Sequence, residues 1–154
     1  MLVPAAKALG APASPLGAHV VDAYTCYKTK LHAKRCAEDA ARVCKKDVDC
    51  GVAGPCLGKF PKGIQAAVTD QFLPVAKTFD VKKPTRLCAP TGVDGSPIQS
   101  ADGYLMCYQV KPAAGAAKHQ KVVGAIHTTG PFGRDRLDTV VEDELCIPSL
   151  ALDS

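Results

Sequence analysis

Hydrophobic and polar positions alternate in short runs along most of this chain. "VAKTFDV" (75–81) sets Val75, Lys77, Phe79 and Val81 against Ala76, Thr78 and Asp80, the period of two that marks a half-buried strand. "AYTCYKTKL" (23–31) and "GYLMCYQVK" (103–111) carry the aromatic and β-branched residues that suit a pleated surface. "IQAAVTDQF" (64–72), "KVVGAIHTT" (121–129) and "DTVVE" (138–142) read as further strands. "TRLCAP" (85–90) and "ELCIP" (144–148) read as strands closed by proline, which has no N–H for a ladder. Glycine and proline place turns at 60–63, 91–97, 111–118 and 129–135. Only "AEDAARVCKK" (37–46) has helix-forming composition, and it predicts one short helix.

The strands recur. "TCYKTK" (25–30) matches "MCYQVK" (106–111), placing Cys26 on Cys107, Tyr27 on Tyr108 and Lys30 on Lys111. "FDVKKPTRLCAPT" (79–91) matches "DTVVEDELCIPS" (138–149), so each unit opens on Cys-Tyr-X-X-Lys and closes on Leu-Cys-X-Pro. The two cysteines are 62 residues apart in the first unit and 39 in the second. The excess of 23 (62 minus 39) falls on "RCAEDAARVCKKDVDCGVAGPC" (35–56), which has no counterpart in the second unit. The opening "LVPA" (2–5) resembles a third closing strand, with Val3 in the cysteine position. It reads as the end of a preceding unit, and the chain as a segment of something longer.

These patterns predict a single duplicated domain over 1–154. An N-terminal strand and linker occupy 1–17. Unit one spans 18–93 and carries the insertion 35–58; unit two spans 94–154. One unit alone buries little. The expected fold is therefore all-β: a pseudo-twofold duplicated β-sandwich or barrel, with a disulfide-rich insertion containing a short helix.

Eight cysteines sharpen this picture. No pair stands at the C-x-x-C spacing usual for zinc, redox or haem sites. Four structural disulfides and an oxidising compartment follow as the expectation. Within units, Cys26 pairs with Cys88 and Cys107 with Cys146; the cross-unit alternative is Cys26 with Cys146 and Cys88 with Cys107. In the insertion the expected pairs are Cys36 with Cys50 and Cys44 with Cys56, because so short a segment cannot build its own core. The first 17 residues hold no long apolar run, being broken by Lys7, Gly10 and three prolines. They form neither a signal-peptide core nor a membrane span.

"DAYTCYKTK", "FPKGIQAAVTDQF", "VKKPTRLCAPTGVDG" and "LMCYQVKPAAG" resemble an uncharacterised family of exported bacterial repeat proteins, a domain of unknown function. Its units start on Cys-Tyr-Lys-X-Lys and end on Leu-Cys-X-Pro, and several carry a cysteine-rich insert. The likeness spans nearly the whole chain. It implies a β fold and a periplasmic, cell-surface or extracellular location, and it supplies no catalytic or binding residues.

Candidate chemistry is sparse. The formal net charge of +4 is interspersed and lacks a basic run, which argues against nucleic-acid binding. His19, His32, His119 and His127 show no metal-ligand spacing, and no serine sits in a Gly-X-Ser-X-Gly elbow. Asp47 and Asp49 open like a calcium loop, but Gly51 and Gly58 stand where further oxygen ligands are required. Tyr27 and Tyr108, beside their cysteines, read as core. One feature points to docking: the segment before the closing cysteine holds Lys82, Lys83 and Arg86 in unit one, and Glu142, Asp143 and Glu144 in unit two. Opposite charge at equivalent places suits unit-to-unit pairing, within the domain or head to tail. The sequence therefore points to a non-enzymatic exported structural or assembly module. It implies no metal or cofactor, no nucleic acid and no membrane span, and its expected partners are proteins, either itself or a larger assembly. The alternative is an extracellular binding or inhibitor module that uses the insertion as its recognition loop. An enzymatic reading requires a polar pocket that joins His119 or His127 to carboxylates.

Overall fold

A single long strand organises the molecule in a computed structural model, which describes residues 1–2, 6–10, 21–32 and 34–150. In chain order the strands are β1 (Ala6–Leu9), β2 (Ala23–Lys28), β3 (Arg35–Cys36), β4 (Asp39–Val43), β5 (Cys56–Leu57) and β6 (Gln65–Val68). They continue as β7 (Lys77–Thr91), β8 (Gly103–Pro112), β9 (Ile126–Gly130), β10 (Gly133–Leu137) and β11 (Glu144–Leu150). The fold is all-β, and the one helical element among the described residues is a 3₁₀ turn at Asp47–Asp49.

The organising strand is β7, which runs for 15 residues and fuses two segments expected to be separate. Register shifts at Val81/Lys83 and Pro84/Arg86 absorb the proline and the adjoining charges between its halves. One edge of β7 carries β2 and β6 end to end; the other carries β8, which in turn pairs with β11. The order β11-β8-β7-β2 is antiparallel throughout. Read from β2, the strands run first, last, first, last of the two units. The units therefore follow one another across one open sheet, a translation. This corrects the expectation of a pseudo-twofold sandwich or closed barrel. The hydrophobic pattern identified the buried face, but pairing order is set by edge-to-edge bonding that the pattern does not report.

The expected alternation holds within β7, where Phe79 and Val81 are buried while Thr78 and Asp80 are half-exposed, but Val75, expected on the same face, precedes the strand and is exposed. With Val110, Phe79 and Val81 form a core that Phe60, Ala66, Val68, Leu73, Tyr108 and Leu145 cover. Both units contribute to it. Asp22, itself buried, ties the linker between units to the start of β2, its carboxylate accepting the Gln99 and Ser100 N–H groups at 2.7 and 2.9 Å.

A second sheet, ordered β1-β9-β10, is built from unit two and the N-terminal segment. Here the expectations were displaced. β10 lies where a turn was expected to end, because Gly133, Arg134, Asp135 and Arg136 are exposed and leave no apolar signal. "DTVVE" is not a strand: Val140 and Val141 are exposed, while Thr139 and Asp138 bond the backbone of the preceding loop. The expected helix at 37–46 is also absent. Residues 39–43 are strand β4, paired with β3, because the bridges of the insertion fix its backbone more firmly than weak helix propensity can. Of the N-terminal strand, Leu2 and β1 are described, and residues 3–5 and 11–20 lie outside the described residues.

Candidate functional site

All eight cysteines are paired: Cys26–Cys88, Cys107–Cys146, Cys36–Cys50 and Cys44–Cys56. The first two join directly opposed residues of β2/β7 and β8/β11, with Cα atoms 4.0 and 3.9 Å apart. Each unit is thus stapled first strand to last. The two staples also meet. At the β7–β8 seam the Cys88 and Cys107 sulfurs are 3.8 Å apart, with residue exposures of 0 and 1%. The seam buries the inner half of each bridge. Glu144 brings a carboxylate oxygen within 4.8 Å of the Cys107 and Cys146 sulfurs. Sulfurs already bonded to each other offer no thiolate, so the group is not a metal ligand set.

The charged residues singled out from sequence converge on this seam only in part. Arg86 pairs with Glu144 at 3.2 Å, and Thr85 donates its hydroxyl to the same carboxylate at 2.8 Å. Unit one thus touches unit two through opposite charges. Lys82 instead lies 3.7 Å from Asp80 of its own strand, and Lys83 and the Asp143 side chain are exposed. The backbone carbonyl of Asp143 accepts the Val110 N–H.

Glu142 is drawn elsewhere, into a half-buried cluster that sequence reasoning missed. Its Oε1 accepts the Lys77 ammonium at 2.8 Å, and the side chains are 7 and 15% exposed. His119 Nδ1 lies 3.1 Å from the same oxygen without the alignment of a hydrogen bond, and Glu142 Oε2 has no partner. His119 Nε2 meets the Thr139 hydroxyl at 2.9 Å, and that hydroxyl also accepts the Val122 N–H at 2.8 Å. Burial pushes the Glu142 carboxyl up, but the hydrogen bond from Lys77 and the adjacent His119 ring outweigh it and hold the group below the usual range. The sequence signal was weak: Lys77 occupies an apolar phase of an alternating strand, which implies either a break in the pattern or a buried partner.

Lys77 and His119 border a cleft of about 600 Å³ whose other walls include Phe72, Leu73, Pro74, Ala113 and Ala116. The cleft brings His119 to its wall but no carboxylate, so it is not the pocket an enzymatic reading asked for, although the Thr139–His119–Glu142 sequence behind it has the connectivity of a nucleophile–base–carboxylate relay. The geometry opposes that use. Thr139 and Glu142 are not among the residues lining the cleft. The cluster is better described as a clamp holding the 113–122 and 138–143 segments against β7. His127 lies elsewhere, opposite Arg136 in the β9–β10 hairpin, His32 is exposed, and His19 lies outside the described residues.

The insertion forms its own knot. Cys36, Cys44 and Cys50 are its buried centre, with Ala53 and Cys56 packed on it. Asp49 accepts the Lys45 and Lys46 N–H groups and Asp47 accepts the Cys56 N–H, so both carboxylates of the calcium-like motif cap backbone. Those bonds from Lys45 and Lys46 lower the Asp49 carboxyl. Val48 and Val52 project outwards, 79 and 98% exposed.

The repeat-equivalent tyrosines diverge. Tyr108 packs in the core, its ring 5.7 Å from that of Phe60. Tyr27, expected in the core, is 58% exposed. β8 has a neighbouring unit beside it, whereas β2 stands at the margin of the sheet, where among the described residues Leu2 alone bridges to its outer edge. Among the described residues no helix is long and apolar enough to cross a membrane. Comparison of the chain with family models, curated proteins and solved structures finds no match to any of them.

Proposed function

We propose that the protein is a non-enzymatic structural or assembly module of an exported bacterial protein, working outside the cytoplasm. The observation that carries this reading is the β7–β8 seam. There the closing strand of one disulfide-stapled unit is the docking edge for the opening strand of the next. Such a unit is rigid before it meets a neighbour, because its bridge already fixes the two outer strands, and so little further ordering is needed on assembly. The four bridges fit an oxidising environment. The likeness to exported repeat proteins rests on the motifs alone. The test is mass against concentration, by sedimentation, for the wild-type chain and for a chain with 35–57 replaced by a short glycine-serine link. The expected result is concentration-dependent self-association that survives removal of the insertion. A chain that stays monomeric up to millimolar concentration contradicts the reading.

The insertion supports a second reading, a binding or inhibitor module. Val48 and Val52 present apolar surface on a loop held by two bridges, the arrangement that lowers the ordering cost of recognition. Loss of a ligand from the extracellular medium on removing 35–57, with no change in self-association, favours this alternative.

A further inference from the structure

We propose that the outer edge of β11 is a docking edge for the β2 strand of a second copy of this chain, built as the β7–β8 seam is built. This deepens the assembly reading and rests on it, by naming the surface and its occupant.

Three observations point to that occupant. First, β11 pairs with β8 and with no other strand among the described residues. Asp143 directs its carbonyl to Val110 across the β8–β11 seam. By strand alternation residues 145, 147 and 149 face β8, and residues 144, 146, 148 and 150 turn their backbone groups outwards. Second, β11 is the repeat equivalent of the second half of β7, and β2 is the equivalent of β8. Inside the molecule Arg86 stands opposite Cys107, and Cys88 opposite Leu105. Transferred to two copies, Glu144 stands opposite Cys26 and Cys146 opposite Tyr24. Third, β2 lacks what the internal seam supplies. Tyr108 is packed at the seam while Tyr27 is bare, and Cys107 is buried while Cys26 is only half-buried.

Charge favours the same match. Asp143 and Glu144 lead into β11, and Lys28 and Lys30 end the β2 segment, so antiparallel docking sets acid against base. Pro148 would blunt an edge strand at its own position. It does not obstruct this seam, because pairing between β7 and β8 already ends at Cys88, two residues before the equivalent Pro90.

The chain also carries a competitor. Leu2 and Tyr24 exchange both backbone hydrogen bonds at the outer edge of β2. Leu2 thus sits opposite Tyr24 where Cys146 of a second copy would sit. Leu2 occupies this part of its own docking strand and must leave for a neighbour to enter.

The experiment is sedimentation velocity on the full chain, a deletion of residues 2–5, the point variant Leu2→Pro, and each combined with Lys28→Glu. All carry a count of blocked thiols as the folding control. Freeing the edge is expected to tighten self-association roughly tenfold for the deletion, with Leu2→Pro in the same direction. Lys28→Glu is expected to weaken it again by roughly fivefold. Carbodiimide cross-linking of a mixed-isotope sample should join Asp143 or Glu144 of one copy to Lys28 or Lys30 of another. Unchanged association on deletion, with all four bridges intact, overturns the proposal; so do cross-links confined to other surfaces. The assembly reading falls only if the wild-type chain is itself monomeric.

Discussion

Replacing Lys77 by methionine removes the ammonium that neutralises Glu142 and keeps the aliphatic stem in place. The ammonium lies 2.8 Å from Glu142 Oε1 and 5.3 Å from the centre of the Phe79 ring. In the variant, Glu142 keeps only His119 beside one oxygen, and its other oxygen already lacks a partner. Breaking a fully enclosed pair costs roughly 3–5 kcal/mol. The Glu142 side chain retains 15% exposure, so the expected cost is nearer about 2–3 kcal/mol. For a domain of this size that is a fall in Tm of about 4–12 °C. The double variant Lys77→Met with Glu142→Leu removes both charges and should recover most of the loss, giving a coupling of about 1 kcal/mol or more. Acid unfolding adds a second readout. The folded Glu142 pKa lies below its unfolded value. Its contribution is therefore complete above that value and disappears as the pH falls through the folded pKa. Lys77→Met should flatten this acid limb. Urea titration of the four proteins measures the cycle. A single-variant cost below about 0.5 kcal/mol, or strictly additive losses, would refute the clamp.

Other substitutions probe separate parts of the molecule. Gly58 leaves the insertion at φ +102, and a Cβ there would stand 2.6 Å from the His32 carbonyl oxygen; Gly58→Ala should cost about 1–3 kcal/mol by thermal melting, and no loss would remove that close approach. Replacing both members of Cys26–Cys88 or of Cys107–Cys146 by alanine should cost about 4 kcal/mol, and about 3 kcal/mol for either insertion bridge, the order set by loop lengths of 62, 39, 14 and 12 residues. A main-sheet staple that proves cheaper to lose than an insertion staple would contradict that order. Replacing 35–57 by a short link should leave the melting of the main sheet within about 1 kcal/mol of wild type, because the knot packs on its own cysteines. A larger loss would show that the insertion supports the fold.

Much of the fold was legible where side-chain periodicity and cysteine spacing carried it. Phe79 and Val81 alternate with polar neighbours, the repeat named Cys26–Cys88 and Cys107–Cys146 as one of two pairings, and the shortness of the insertion pointed to its two local bridges. β10 was not legible, because a strand exposed along its length has no apolar face to declare it. β4 was misread, because alanine and arginine favour a helix until two bridges impose another backbone. The side-by-side order of the units was hidden for a different reason. Duplication states that two units are alike, and it is silent on whether a rotation or a translation relates them. Tyr27 shows the consequence, since the same residue type at the same repeat position is core in one unit and bare in the other. Of the candidate site, the charges before each closing cysteine were visible, but their division between Glu144 at the seam and Glu142 in the Lys77 clamp was not.

Non-reducing peptide mapping tests the arrangement most directly, because Cys88 and Cys107 lie close enough for either set of partners to be conceivable. Units closed on themselves and laid in sequence across one sheet give Cys26 linked to Cys88 and Cys107 linked to Cys146, with no free thiol. Recovery of Cys88 joined to Cys107, or of Cys26 joined to Cys146 within one chain, would contradict it.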